Sequence, residues 1–204
     1  MHSPTPSPGG RRERWSSKLC EHVHVAFLRG INVGGKHSLA MTALAAQFTE
    51  SGCADVRTWI QSGNVLFSAA PPLARRIPTL VAAGISKRFG FEAPVVTCTA
   101  AELAAIVKNN PFLRDAPDPK FLHVVFLADP PDRSRAALLD PDRSPPDRFA
   151  LRGSEIYLLC PNGVGKSRLT AQYFDSTLKT ASTFRNWNTV LKMLELSRLP
   201  PRSG

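Results

Sequence analysis

Apolar positions along the chain follow two rhythms, and their order sets the expected architecture. Val23, Val25 and Phe27 alternate with His24, Ala26 and Leu28, which is strand spacing with both faces largely apolar. A glycine-rich loop follows. Ser38 then reads as a helix N-cap ahead of Met41, Leu44, Ala45 and Phe48, which share one helical face, and Gly52 is a stop. Two β-prone runs flank Ser62-Gly63 and read as a hairpin. After Pro71-Pro72, a stripe of Ile77, Leu80, Val81, Ile85 and Phe89 predicts a second helix, with Pro78 tolerated near its first turn. Residues 93–98 then read as a strand.

Thr99 and Glu102 form a capping box that opens a helix carrying Leu103, Ile106 and Val107, and Pro111 ends it. The pattern then repeats. Residues 121–127 read as a strand, 132–139 as a short helix, and 149–152 and 155–160 as two strands joined across Gly153-Ser154. A helix is expected over 167–178, then a short extended segment, then a last helix with Val190, Leu191 and Leu194 on its apolar face. The order predicts an α+β chain of two tandem ferredoxin-like, βαββα-type subdomains with an additional C-terminal helix. The expected division is a disordered basic tail at 1–20, subdomains at 21–99 and 100–196, and a second tail at 197–204.

Composition supports a globular chain: of 204 residues, 43% are hydrophobic and 21% charged. The formal net charge is +10. Residues 1–18 contribute +3 and residues 197–204 contribute +2, which leaves +5 for the body. A basic body favours anionic partners, a small molecule or nucleic acid. The cysteines Cys20, Cys53, Cys98 and Cys160 are widely spaced and form no CxxC pair. The first twenty residues lack the apolar centre of a secretory leader, and no apolar run reaches the ~20 residues of a membrane helix. Reduced thiols, a cytoplasmic location and no membrane partner are the expectation. Neither a metal nor a cofactor is expected: His22 and His24 share a strand face, but the sequence places no third ligand beside them.

Four blocks carry candidate chemistry. The loop from Arg29 to Lys36 sets Gly30, Asn32, Gly34 and Gly35 between a strand and a helix, where glycines bring amides close to an anion and Arg29 and Lys36 add full charge. Residues 161–167 resemble the end of a P-loop, but Cys160 stands where its first glycine belongs; Lys166 and nearby amides remain candidates for a phosphate. In the hairpin turn, Gln61, Ser62 and Asn64 offer groups that both donate and accept hydrogen bonds. The last block places Arg185, Asn186 and Asn188 around Trp187 at a helix start, where Arg185 could clamp a carboxylate or phosphate and either Asn could cap the helix. No nucleophile elbow and no paired carboxylates stand out in these loops, so no catalytic residue is assigned.

Taken together and in this order, FLRGINVGGK, TWIQSGNVLF, NGVGKSRLT and RNWNTVLKMLEL resemble the family named for domain of unknown function 1697 (DUF1697), over roughly residues 22–196. The resemblance implies a bacterial protein with two ferredoxin-like subdomains and no established activity. Its signature positions correspond to Arg29, Gly30, Asn32, Gly34, Gly35, Gln61, Ser62, Gly63, Asn64, Arg185, Asn186, Trp187, Asn188 and Thr189. Trp59 stands where relatives are expected to carry Tyr, and the long basic N-terminal tail is peculiar to this chain.

These readings converge on a protein that binds an anionic ligand, a nucleotide, phosphorylated metabolite or nucleic-acid backbone, at a cleft between the two halves. Three alternatives stand beside it. The chain could be a transferase or hydrolase acting on a phosphorylated small molecule. It could be a nucleic-acid-binding module presenting Trp59, Phe67 and Phe126 on an open sheet. Or the signature blocks could serve structure only, pairing buried polar groups between the halves.

Overall fold

The computed structural model describes residues 23–35, 37–116 and 118–200. The tail at 1–20, with Cys20, lies outside the described residues, as do His22, Lys36 and residues 201–204. The first half comprises β1 (Val23–Leu28), α1 (Met41–Glu50), β2 (Ala54–Trp59), β3 (Asn64–Ser68), α2 (Pro71–Ala74), α3 (Ile77–Phe89) and β4 (Val95–Thr99). Helix α4 (Ala100–Lys108) leads into β5 (Leu122–Leu127), α5 (Arg133–Ala136), β6 (Arg148–Arg152), β7 (Glu155–Leu159), α6 (Ala171–Leu178), β8 (Ser182–Asn186) and α7 (Trp187–Ser197).

Each half contains a four-stranded antiparallel sheet, ordered β2-β3-β1-β4 and β6-β7-β5-β8. This is the ferredoxin-like arrangement twice over, with α7 added at the end. The extended segment before α7 is thus a full strand: β8 pairs with β5 from Ser182↔Leu127 to Asn186↔His123 and gives the second sheet the strand order of the first.

Strand alternation decides which face meets which layer. Ala26, Leu28, Val65 and Phe67 pack under α1 and α3, while Val25, Phe27, Leu66 and Val96 point the other way. In the second sheet Val125, Leu127, Ile156 and Leu158 face α6, and Val124, Phe126, Tyr157 and Leu159 face inward. The two inward faces share one core with Leu103 and Ile106 of α4 and Trp187, Val190 and Met193 of α7. The sheets touch directly: the rings of Phe27 and Phe126 lie 4.4 Å apart. Such a pair contributes about 0.5–1.5 kcal/mol beyond its buried area. The halves are therefore fused through a common hydrophobic layer.

Local signals account for most element ends. Thr99 and Glu102 form the reciprocal capping box of α4, with Glu102 N to Thr99 Oγ1 at 3.1 Å and Thr99 N to Glu102 Oε2 at 2.7 Å. Gly90, at φ +76°, ends α3 in the left-handed conformation that glycine adopts without strain. Two expected starts move. Ser38 is not the cap of α1, which begins at Met41 behind Ala40 without a side-chain cap. Helix α6 begins at Ala171 because Thr170 accepts a hydrogen bond from Tyr173 N, so Ser167–Leu169 stay outside it. Ser197, read as the first tail residue, is the last residue of α7 and is buried.

Candidate functional site

The end of β1, the turn before β3, the start of β8 and the residues leading into α6 meet at a cleft of about 430 Å³. It is lined from the first half by Leu28, Arg29, Gly30, Ile31, Val33 and Ser62, and from the second by Val164, Leu169, Thr170, Ala171, Thr183, Phe184 and Arg185. Arg29 and Arg185, 156 positions apart in sequence, thus line one cavity.

Arg185 forms the floor and is only 8% exposed. Its Nε donates to Asn64 Oδ1 at 2.6 Å. Nη1 donates to Thr183 Oγ1 at 2.8 Å and Phe184 O at 2.7 Å. Nη2 donates to Leu28 O at 2.7 Å and to Ser62 O and Gly63 O at 3.1 Å each. A guanidinium has five N–H groups, so every donor is taken. All six acceptors are neutral, and burial without a countercharge pushes the group down to about 9. Phe27 adds an aromatic face 5.0 Å from the guanidinium carbon. Arg185 therefore ties β8 to the ends of β1 and β3, and the clamp expected for a ligand is spent on the protein's own carbonyls.

Arg29 differs. Its Nη1 is ion-paired with Asp175 Oδ2 of α6 and donates to Ser182 O at 3.0 Å. Nε and Nη2 have no partner among the described residues and are not buried, and the side chain is 34% exposed. Two anchors from the second half thus hold Nη1 and leave the Nε and Nη2 edge of this cleft-lining residue unpaired among the described residues. Beneath it, Asp175 Oδ1 and Ser182 Oγ are buried without a hydrogen-bond partner.

The remaining sequence candidates divide sharply. Gly30 and Ser62 line the cleft. Asn32, at φ +55°, closes its own loop: Oδ1 accepts from Leu39 N at 2.8 Å, and Nδ2 donates to Leu39 O at 2.9 Å and Gln61 O at 3.1 Å. Gly34 and Gly35 are exposed, and neither they nor Gln61 line the cleft. Asn64 is fully buried, donating to Trp59 O at 3.2 Å and Ser62 Oγ at 2.8 Å beside its bond from Arg185, so it orders the turn. Gly63 could be no other residue without movement, since a Cβ there would lie 2.8 Å from Leu28 Cβ at φ +70°.

The P-loop-like segment does not cradle an anion with its whole backbone. The amides of Gly163, Lys166 and Ser167 donate to Cys160 O, Gly163 O and Val164 O, so local turns consume them. Lys166 is exposed and does not line the cleft. Asn186 caps α7, accepting from Asn188 N at 2.9 Å, and its Nδ2 donates to Lys120 O at 3.4 Å; neither Asn lines the cleft. Asp175, Thr170, Ala171, Thr183 and Phe184 escaped sequence reading. Ser182, Thr183, Phe184 and Arg185 hold one apolar residue among them, so the strand that carries two of these residues left only a short extended segment legible in the sequence.

No Asp, Glu or His lines the cleft among the described residues. Phe67 and Phe126 are buried in the cores, and Trp59 is half-buried with Lys192 Nζ 5.3 Å from its ring, so these rings form no open stacking platform. The thiols of Cys53 and Cys160 are each raised to about 11 by burial, and that of Cys98 is raised by burial and by nearby Glu102 and Glu155. All three are free and protonated at neutral pH. No helix among the described residues is long and apolar enough to cross a membrane.

The model of the family described as protein of unknown function (DUF1697) matches residues 22–157. It spans the Arg29 loop and the hairpin turn and stops short of Lys166 and Arg185. The fold is similar to the solved structure of a conserved bacterial protein from Streptococcus pneumoniae, with a TM-score of 0.66 and 18% identity over 86% of this chain and 98% of that one. No curated protein matches.

Proposed function

The chain belongs to the DUF1697 family, and on that premise we propose that it binds an anionic small molecule in the cleft between its two sheets. The observation that carries this reading is Arg29. Asp175 and Ser182 O hold Nη1 of its guanidinium, and Nε and Nη2 of this cavity-lining residue have no protein partner among the described residues. Preorganised donors lose little freedom when a carboxylate or phosphate arrives. Gly30 lets the backbone approach beside it, at φ +76° with open space where a Cβ would stand. Arg185 acts from below, shaping the floor and adding a buried positive charge.

Binding without turnover fits the lining better than a transferase or hydrolase, because no carboxylate or imidazole among the described lining residues can serve as a general base. Free thiols at Cys53, Cys98 and Cys160 fit a reducing cytoplasm.

The test is thermal melting of the full chain against nucleotides, sugar phosphates, carboxylates, RNA and DNA at two salt concentrations. A ligand at about 100 times its Kd stabilises the fold by about 2.7 kcal/mol. A shift abolished by Arg29→Gln supports the cleft. A shift with nucleic acid alone, steep in salt and indifferent to Arg29, means nonspecific attraction and overturns the reading, as does no shift with any anion.

A further inference from the structure

Resting on that reading, we infer that the ligand is an amphipathic anion with a single head group: one carboxylate or one phosphate monoester on an apolar body, taken without a divalent cation. Charge balance at the site is the first argument. Among the described residues Arg29 and Arg185 bring two positive charges to the lining and Asp175, paired with Arg29, returns one negative, so a carboxylate balances them and a phosphate monoester, at about −1.5 to −2, exceeds them by no more than about one charge. A polyphosphate would bring several uncompensated charges beside a buried region of low dielectric.

The donors agree with this count. Arg185 has no N–H left, so among the described lining residues the free guanidinium fork is the Nε and Nη2 edge of Arg29, enough for one bidentate head group. The loop that resembles a P-loop has turned the amides of Gly163, Lys166 and Ser167 onto its own carbonyls and lacks the continuous nest a polyphosphate chain needs. No carboxylate among the described lining residues stands ready for the magnesium that accompanies nucleoside triphosphates.

The walls argue for the apolar body. Ile31, Val33, Val164, Leu169 and Phe184 line the same cleft as Arg29. Ile31 and Leu169 are buried, whereas Val33 is 66% exposed at the mouth on a loop held open by Gly30 and Gly34 at positive φ. A hydrocarbon or aromatic body seated there would cover Val33 and recover apolar burial that the free protein forgoes. The volume of about 430 Å³ lies at the small end of the range for ligand cavities, about 300–1,000 Å³.

The experiment is calorimetric titration of the full chain with a matched probe set: an aryl carboxylate, the corresponding aryl phosphate monoester, the neutral aryl amide, inorganic phosphate, and a nucleoside triphosphate with and without Mg²⁺. We expect the aryl carboxylate or the aryl phosphate to bind at least tenfold more tightly than the neutral amide, inorganic phosphate or the triphosphate, and the better of the two identifies the head group. Val33→Ser, a change at an exposed position, should weaken that probe severalfold and leave inorganic phosphate and the melting temperature of the free protein unchanged. Equal or tighter binding of the triphosphate or of inorganic phosphate, sensitive to Arg29→Gln, overturns the inference of a single head group on an apolar body and leaves anion binding standing. Equal binding of the neutral amide, or no binding by any anion, overturns both.

Discussion

Arg185 Nε donates to Asn64 Oδ1 at 2.6 Å, joining side chains 121 positions apart that belong to different sheets. The contact lies inside the protein, and its neighbours are the carbonyls of Leu28, Ser62 and Gly63. The pair therefore couples the register of the two halves to the shape of the cleft floor.

Arg185→Leu should destabilise the chain by about 3–5 kcal/mol, because it strands several buried acceptors at about 1–3 kcal/mol each. Arg185→Lys should recover little, since three ammonium donors on one centre cannot reproduce the planar fork. Asn64→Ala should cost about 1–3 kcal/mol. A double-mutant cycle in urea should show the double variant losing less than the sum of the two single losses, as expected of residues in one network. Additive losses would show that the pair is not coupled.

Gly63→Ala and Gly34→Ala isolate steric from conformational cost. Both glycines have positive φ, +70° and +59°. A Cβ at Gly63 would meet Leu28 Cβ at 2.8 Å and Leu28 O at 3.2 Å, whereas one at Gly34 meets nothing within 4 Å. Gly34→Ala should cost about 1–2 kcal/mol from left-handed strain alone, and Gly63→Ala distinctly more. Equal melting temperatures for the two variants would refute the steric reading of Gly63.

His123 makes stability fall on acidification. Burial lowers its pKa from 6.5, partly offset by a hydrogen bond with the Phe121 backbone, and Nδ1 has no partner. Below 6.5 the unfolded chain takes up the proton before the folded one, so the unfolded state binds more protons and stability drops as pH falls toward the folded pKa. His123→Gln should flatten the stability profile in that window. An unchanged slope would mean that other groups set it.

Glu155 works in the opposite direction. Burial and the neighbouring Glu102 raise its pKa above 4.5. Between 4.5 and the raised value the folded chain holds the proton that the unfolded chain has released, so stability falls as pH rises through the window. Glu155→Gln should raise the melting temperature at pH 7, and the gain should vanish below about pH 4, where both states are protonated. A lower melting temperature at pH 7 would show that the carboxylate has a favourable partner.

Much of this protein is written locally. The alternation in β1 and β3 and the Thr99–Glu102 box depend on neighbours a few residues away, so the order of elements and the doubled ferredoxin-like plan were legible from the chain. The match to residues 22–157 and the shared fold agree with the family resemblance carried by the motifs. Strand β8 was harder to read, because it mixes buried hydroxyls at Ser182 and Thr183 with Phe184 and Arg185 and so lacks a continuous apolar rhythm. Motif chemistry was legible as residue types but not as roles. An arginine between Phe and Asn could clamp a ligand or a scaffold, and the choice rests on where the carbonyls of Leu28, Ser62 and Gly63 lie in space. The sequence by itself determined the elements, their order and the polar residues available, because those depend on short-range sterics and periodicity. Tertiary structure alone decided that Arg185 is saturated and Arg29 half free, because hydrogen-bond donors are allotted by distances between segments far apart in the chain.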